Sequence, residues 1–117
     1  MEQLFAAAAQ GLFSLLVDPS LVRPAKQRSV TADAGDLVGL LIAFLNELLY
    51  VHESEDFLMA SAAVTALTPT RVEAVLTGET IDSKRHRVQH HVKAVTYHRA
   101  IVEQTASGWR ATVIVDV

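Results

Sequence analysis

Three of the five histidines fall in one short stretch, HHVKAVTYH, at positions 90–98. Imidazole side chains bind zinc and act as general acids and bases, so this stretch is the first candidate for chemistry. His86 lies four residues before His90, and on a helix that spacing would place both rings on one face. The pattern raises the hypothesis of a metal-dependent hydrolase that uses His86, His90 or His98.

The residues around these histidines do not complete a metal site. There is no HExxH motif and no acid between His86 and His90, and a bare pair of histidines lacks the third ligand that zinc sites have. The chain has no cysteine, which excludes thiolate ligands, disulfides and a cysteine nucleophile. The pattern therefore favours a hydrated strand edge beside a basic turn over a zinc site.

Two other polar residues stand in apolar surroundings. Lys93 lies between Val92 and Ala94, where a lysine usually extends its ammonium group to the surface. The same point charge could also contact a phosphate or a carboxylate. Asp116 follows the apolar run TVIV and precedes the last residue, Val117, so two carboxylates would lie one residue apart. This predicts either a hydrated chain end or a site for a hard divalent cation, although two oxygens do not fill a calcium shell.

Catalytic signatures are missing from the sequence. It contains no P-loop, GxSxG, GxGxxG or kinase motif. No local cluster supplies a nucleophile together with a base and an orienting residue. The chain is therefore expected not to be an enzyme.

Two helices are predicted to position these residues. Apolar residues at helical spacing predict a first helix from the chain start to about Val17, because Pro19 cannot continue it. A wide leucine stripe predicts a second helix from about Leu37 to Val51, capped by Asp36 or Asp33.

Strand-like runs fill most of the remaining chain. The two runs on either side of Pro69 predict an antiparallel hairpin, and Gly78 is expected to end the second of them. The stretch from 87 to 98 fits helical and strand spacing equally well. The predicted strands are 27–33, 57–68, 70–77, 99–105 and 109–117. Two helices packed on a mostly antiparallel sheet predict an α+β sandwich, with residues 1–117 forming one domain.

The charge distribution limits the classes of partner. The formal net charge is −3, whereas nucleic-acid binders usually carry a basic excess. The segment from Glu79 to Arg99 contains five Lys and Arg residues and two acids, which gives it a local charge of +3. The segment from Glu47 to Asp56 contains four acids. These are either two solvated faces or a bipolar surface that orients a partner. The basic segment is the only support for an RNA-binding module or a generic chaperone.

No segment predicts a membrane span or a signal peptide. The longest apolar run, from Leu37 to Val51, is interrupted by Asn46 and Glu47 and is shorter than the roughly 20 residues that a span requires. The first residues are apolar but lack a basic start. We expect a cytoplasmic protein that does not contact membranes.

Five features follow one another along the chain: GDLVGLLIAFLNELLYVHESEDFL, LTGETID, Arg85–His86, VKAVTYH and the closing GW-ATVIVDV. Together and in this order, these stretches resemble the archease family. The resemblance implies a small α+β sandwich and an accessory protein of the RNA ligase RtcB, which joins tRNA halves in tRNA splicing. Such a protein promotes guanylylation and turnover of the ligase, and meets tRNA only indirectly.

The resemblance also implies site residues. Family members bind a divalent metal, typically calcium, through an N-terminal aspartate, the aspartate near the C-terminus and the residue after it. The last two match Asp116 and Val117. The lysine of KAVTYH matches Lys93, which becomes a candidate for acting on the ligase or its nucleotide. Lys93 is therefore expected to share one surface site with Asp116 or Val117.

The sequence departs from the family at its start. The resemblance implies an initial strand with an Asp-His-Thr-Ala-Asp-like motif, and this sequence has none. Without that aspartate, calcium binding is expected to be weaker because the shell loses a charged oxygen. An unpaired sheet edge is also expected to be exposed, which would permit self-association.

Overall fold

The computed structural model describes residues 1–82, 84, 86 and 91–117. Within this part of the chain, two α-helices and five strands follow in the order α1, β1, α2, β2, β3, β4 and β5, with a 3-10 turn at Pro19–Leu21 after α1. This confirms the predicted α+β class. The bounds are α1 Glu2–Leu16, β1 Lys26–Asp33, α2 Leu37–Glu55, β2 Phe57–Thr68, β3 Arg71–Thr80, β4 Ala94–Thr105 and β5 Gly108–Asp116.

The strands form two antiparallel sheets where one was expected. The first has the order β1–β3–β2, and β2 and β3 form the hairpin predicted around Pro69. The second is the β4–β5 hairpin. Helix α1 packs on β2 and reaches β5, while α2 packs on β4 and β1. The helices therefore join the two sheets through one core, which periodicity within single segments does not predict.

Helix α2 is the central core element and is longer than predicted. It extends to Glu55 because Asp56 closes it in the left-handed region, at φ 52°. At its start the Asp36 carboxylate accepts a hydrogen bond of 2.6 Å from the Gly39 amide, so Asp36 is the cap. Asp33 pairs with Arg71 instead. The buried residues of α2 are Leu40, Leu41, Ile42, Phe44, Leu45, Leu48, Leu49 and Val51.

By length and composition, α2 is also the one helix in the described part of the chain that could cross a membrane. However, 44% of its apolar window is buried inside the fold. Its leucines contact both sheets and α1 as part of the main hydrophobic cluster. Its hydrophobicity is therefore explained by its place in the core.

Gly78 does not end a strand, contrary to the prediction. It is buried inside β3, opposite a bulge of β2 between Met59 and Ser61. A Cβ atom on Gly78 would collide with the main-chain carbonyl of Leu58. The glycine permits a close approach of two backbones, and that requirement cannot be inferred from β3 alone.

Candidate functional site at the ends of β4 and β5

Lys93 and Asp116 meet at one end of the β4–β5 hairpin. The Lys93 amide donates a hydrogen bond of 2.8 Å to the Asp116 carbonyl, and Ala94 lies opposite Asp116 in the strand register. Val117 follows directly, and its residue surface is 77% exposed. The expected proximity is thus confirmed for the main chain, and all three predicted site residues lie at the same exposed hairpin end.

The Lys93 side chain is available to an external anion. Lys93 is exposed, and in the described part of the chain no carboxylate oxygen lies within 4.0 Å of its ammonium group. The Asp116 carboxylate is also exposed and accepts no hydrogen bond from a described residue. Two residues of opposite charge, each with unfilled side-chain contacts, are therefore joined through their main chains at one exposed hairpin end. Such an arrangement suits a partner that carries charges of both signs.

Asn46 holds the strand that follows Lys93. Its side-chain amide donates to the Val95 carbonyl, and its side-chain oxygen accepts from the Val95 amide, both at 2.8 Å. Val95 is buried, so these main-chain groups would otherwise lose water without a partner. From the sequence alone, Asn46 was interpreted only as an interruption of an apolar run. A single amide inside a leucine stripe was the available signal for a buried hydrogen-bonding role.

A wide bulge begins at the Tyr of the VTYH motif and extends two residues beyond the motif. Thr96 pairs with Ile114 and Ile101 pairs with Thr112, so residues 97–100 all lie opposite one residue of β5. Within the bulge Arg99 adopts a left-handed conformation, at φ 58°. The Tyr97 hydroxyl contacts the Asp36 carboxylate at 3.4 Å, at the start of α2. His98 is exposed on this bulge and does not lie on a regular strand face.

His86 is a buried structural residue. Its Nδ1 accepts a hydrogen bond of 2.9 Å from the Asp82 amide, which places the proton on Nε2. Nε2 lies 3.1 Å from the Leu21 carbonyl and 3.1 Å from the Glu79 carboxylate. That carboxylate also accepts a hydrogen bond of 2.6 Å from the Arg23 amide. Both ring nitrogens are therefore occupied, and the ring links the end of β3 to the 3-10 turn.

This arrangement does not support the histidine-based zinc hypothesis. His90 lies outside the described residues, so the His86–His90 pair is not tested. Among the described residues, no group of three or more His, Asp or Glu could hold a metal ion. Asp116 and Val117 alone offer one carboxylate and main-chain oxygens, and the Asp116 carbonyl already accepts from Lys93. These oxygens form an incomplete shell for calcium, which takes six to eight.

Comparison with known proteins decides the family. The model of the Archease protein family (MTH1598/TM1083) matches residues 1–117, which is the whole chain. The chain belongs to the archease family. Archeases are an accessory protein family linked to RNA processing, and the name does not denote an enzyme.

Individual archeases are similar over the full chain. Protein archease of Methanopyrus kandleri is 37% identical over 119 residues, which cover 99% of this chain and 85% of that protein. Protein archease of Thermococcus gammatolerans is 35% identical over 121 residues, covering 100% and 85%. The solution structure of Methanobacterium thermoautotrophicum protein 1598 superposes with a TM-score of 0.79 at 30% identity, covering 99% of this chain and 84% of that one.

Proposed function

We propose that this archease-family protein activates an RtcB-type RNA ligase during tRNA splicing in the cytoplasm. It would promote guanylylation of the ligase and speed its turnover, without catalysing ligation and without needing its own contact with tRNA. The observation that carries the proposal is the main-chain hydrogen bond from the Lys93 amide to the Asp116 carbonyl, which brings the two residues to one exposed hairpin end.

Lys93 would supply a positive point charge to the complex. Guanylylation brings a nucleoside triphosphate, GTP, to the ligase. An ammonium group stabilises phosphate charge at short range. The Lys93 side chain has unfilled contacts, and the backbone two residues further on is fixed by Asn46. A charge on a fixed backbone loses less entropy on binding than one on a mobile loop. Lys93 would thus act on the ligase or on its nucleotide.

Asp116 and Val117 would hold a divalent cation, which we propose to be calcium. The two residues supply too few oxygens for a closed shell, so water or the ligase would supply the remaining ligands. A bound divalent cation would neutralise the Asp116 carboxylate and attract phosphate or carboxylate oxygens of the partner. Calcium binding by the isolated protein is therefore expected to be weak and to strengthen in the complex.

Guanylylation assays test this proposal. Purified RtcB-type ligase is mixed with labelled GTP, and nucleotide transfer to the ligase is timed with and without this protein. We expect the parent protein to accelerate transfer and multiple turnover, and Lys93→Ala or Asp116→Asn to lower the stimulation on the order of tenfold, as for loss of one charged contact. Lys26→Ala is the matched control, because Lys26 is an exposed lysine that contacts Thr80 instead.

Each outcome of these experiments tests a different hypothesis. If the parent protein does not stimulate the ligase, the proposed function is wrong. If both Lys93→Ala and Asp116→Asn stimulate like the parent, the function stands and the site assignment is wrong. Tight tRNA binding by this protein alone, lost steeply with added salt, would favour an RNA-binding module instead. Stoichiometric zinc by elemental analysis would revive the histidine-based hydrolase.

A further inference from the structure

Helix α2 presents a solvent-facing stripe beside the face that it buries in the core. Glu47, Tyr50 and Glu53 follow one another along this stripe at a spacing of three residues, so neighbouring side chains lie next to each other. Tyr50 is the middle residue and is 65% exposed, more than the chain's other tyrosine, Tyr97, at 55%. A large aromatic ring in water between two carboxylates is typical of a residue that a partner protein covers.

The two glutamates of the stripe have unfilled contacts. In the described part of the chain, no Lys, Arg or His nitrogen lies within 4.0 Å of the Glu47 or Glu53 carboxylate. Glu55, in the same helix, pairs with Arg28 instead. Glu47, Tyr50 and Glu53, which we call the acidic stripe, therefore present two unpaired negative charges around one exposed ring.

The position of Glu53 in the helix is unfavourable for the isolated protein. Glu53 lies in the last turn of α2, where His52 is the basic residue. The last carbonyl groups of a helix give this end a partial negative charge, so a carboxylate there lowers helix stability unless a cation is near. A cation supplied by a partner would compensate for this loss. Residues that lower stability in this way are characteristic of surfaces kept for function.

The acidic stripe extends from the middle of α2 towards the candidate site. Tyr97 contacts Asp36 at the start of α2, and Val95 is bonded twice to Asn46 further along the helix, a contact that we call the Asn46 clamp. Helix α2 and strand β4 therefore run in opposite directions. The turn after Asn46, which carries Tyr50, continues towards the end of β4 where the candidate site begins. The stripe lies on the α2 side of β4, and β5 lies on the other side.

We propose that the acidic stripe docks a basic, arginine-bearing surface of the RtcB-type ligase. A guanidinium group stacks on an aromatic ring and donates two parallel hydrogen bonds to a carboxylate, so an arginine matches Tyr50 together with Glu47 or Glu53. The stripe would bind the ligase, and Lys93 would act on the ligase or its nucleotide. The identity of the partner rests on the proposed function.

The charge of the stripe selects a basic protein over other occupants. The phosphates of RNA would be repelled by two unpaired carboxylates. A second copy of this chain, related by a twofold axis, would bring the same negative stripe opposite the first. A basic protein surface instead brings opposite charges together, and its binding should weaken as salt is added.

Binding measurements test the stripe directly. Purified RtcB-type ligase is titrated with each folded variant by isothermal titration calorimetry, and circular dichroism confirms the fold. We expect Tyr50→Ala and Glu53→Lys each to raise the Kd on the order of tenfold, whereas Tyr50→Phe keeps the ring and should bind like the parent protein. Glu2→Lys is the matched control, because it makes the same charge change at an exposed acid of α1.

Thermal stability separates a docking role from a structural one. Glu53→Lys places a cation at the negative end of α2, so it should raise the melting temperature of the isolated protein. Glu2→Lys should lower it, because Glu2 lies in the first turn of α1, where an acid is favourable. A Glu53→Lys protein that is more stable and binds the ligase more weakly has lost a docking contact, since damage to the fold would lower stability.

The dose dependence of ligase stimulation separates docking from action. Tyr50→Ala should require on the order of tenfold more protein for half-maximal guanylylation and still reach the maximum of the parent protein. Lys93→Ala should stay below that maximum even at saturation, because it removes the acting charge and leaves the acidic stripe intact.

The outcomes distinguish this inference from the proposed function. If Tyr50→Ala and Glu53→Lys bind the ligase within about twofold of the parent protein, the docking surface is wrong, and the proposed function stands wherever the parent stimulates. If the parent protein binds through these residues and does not stimulate, the docking surface stands and the proposed function is wrong. A parent protein that does not bind the ligase overturns both.

Discussion

Asn46 is bonded twice to the backbone of Val95, once as donor and once as acceptor, and both hydrogen bonds measure 2.8 Å. A side chain of α2 thus takes the place that a neighbouring strand would have beside β4. Because Val95 is two residues from Lys93, the clamp fixes the backbone from which the candidate site begins.

Asn46→Leu is expected to destabilise the fold by about 2–4 kcal/mol, because it removes two hydrogen bonds and leaves the buried main-chain groups of Val95 unpaired. Urea denaturation measures the change. Gln10→Leu is the matched control, since Gln10 donates only one hydrogen bond, to the Ala60 carbonyl. Gln10→Leu should lower the free energy of unfolding by about half as much as Asn46→Leu, or less. Equal losses of unfolding free energy in the two variants would contradict the role of Asn46 as a double hydrogen-bonding partner of Val95.

Gly78→Ala is expected to destabilise the protein by about 1–3 kcal/mol or more, because its Cβ would overlap the Leu58 carbonyl and push β2 and β3 apart. Gly11→Ala is the opposite control. Gly11 lies within α1, and a methyl group added there would meet no atom within 4 Å, so alanine should stabilise the helix by about 0.5–1 kcal/mol. Melting temperatures of both variants and the parent protein check that Gly78→Ala lowers stability and that Gly11→Ala raises it.

Calcium titration tests the donor set at the hairpin end. By isothermal titration calorimetry we expect weak binding, with Kd on the order of 10⁻⁴–10⁻³ M, because the protein supplies few oxygens. Asp116→Asn removes the charged ligand and should abolish the heat signal. Asp33→Asn, an exposed carboxylate paired with Arg71, should leave it unchanged. Equal loss in both variants would point to non-specific charge effects and against a site at Asp116.

His86→Ala is expected to destabilise the protein by about 2–4 kcal/mol, because it opens a cavity, removes the acceptor of the Asp82 amide and takes one donor from the Glu79 carboxylate. His98→Ala, on the exposed bulge, should change stability by less than about 0.5 kcal/mol. Chemical denaturation of both variants checks the contrast. A large effect at His98 with none at His86 would reverse the roles of the two histidines.

The sequence by itself determined the elements whose signals are local. The leucine stripe specified α2, Pro19 ended α1, and Pro69 marked the β2–β3 hairpin, because periodicity and backbone restrictions act within a few residues. The motifs were also enough to recognise the archease family and to select Lys93, Asp116 and Val117. What they do in a complex is still a prediction.

Only the tertiary structure decided how those elements meet. It divided the strands into two sheets, buried His86 against Glu79, and required glycine at position 78 because another strand passes close to it. It also gave Asn46 its role beside Val95, 49 residues away in sequence. These features depend on contacts between distant segments, and neither spacing nor residue type within one segment contains that information.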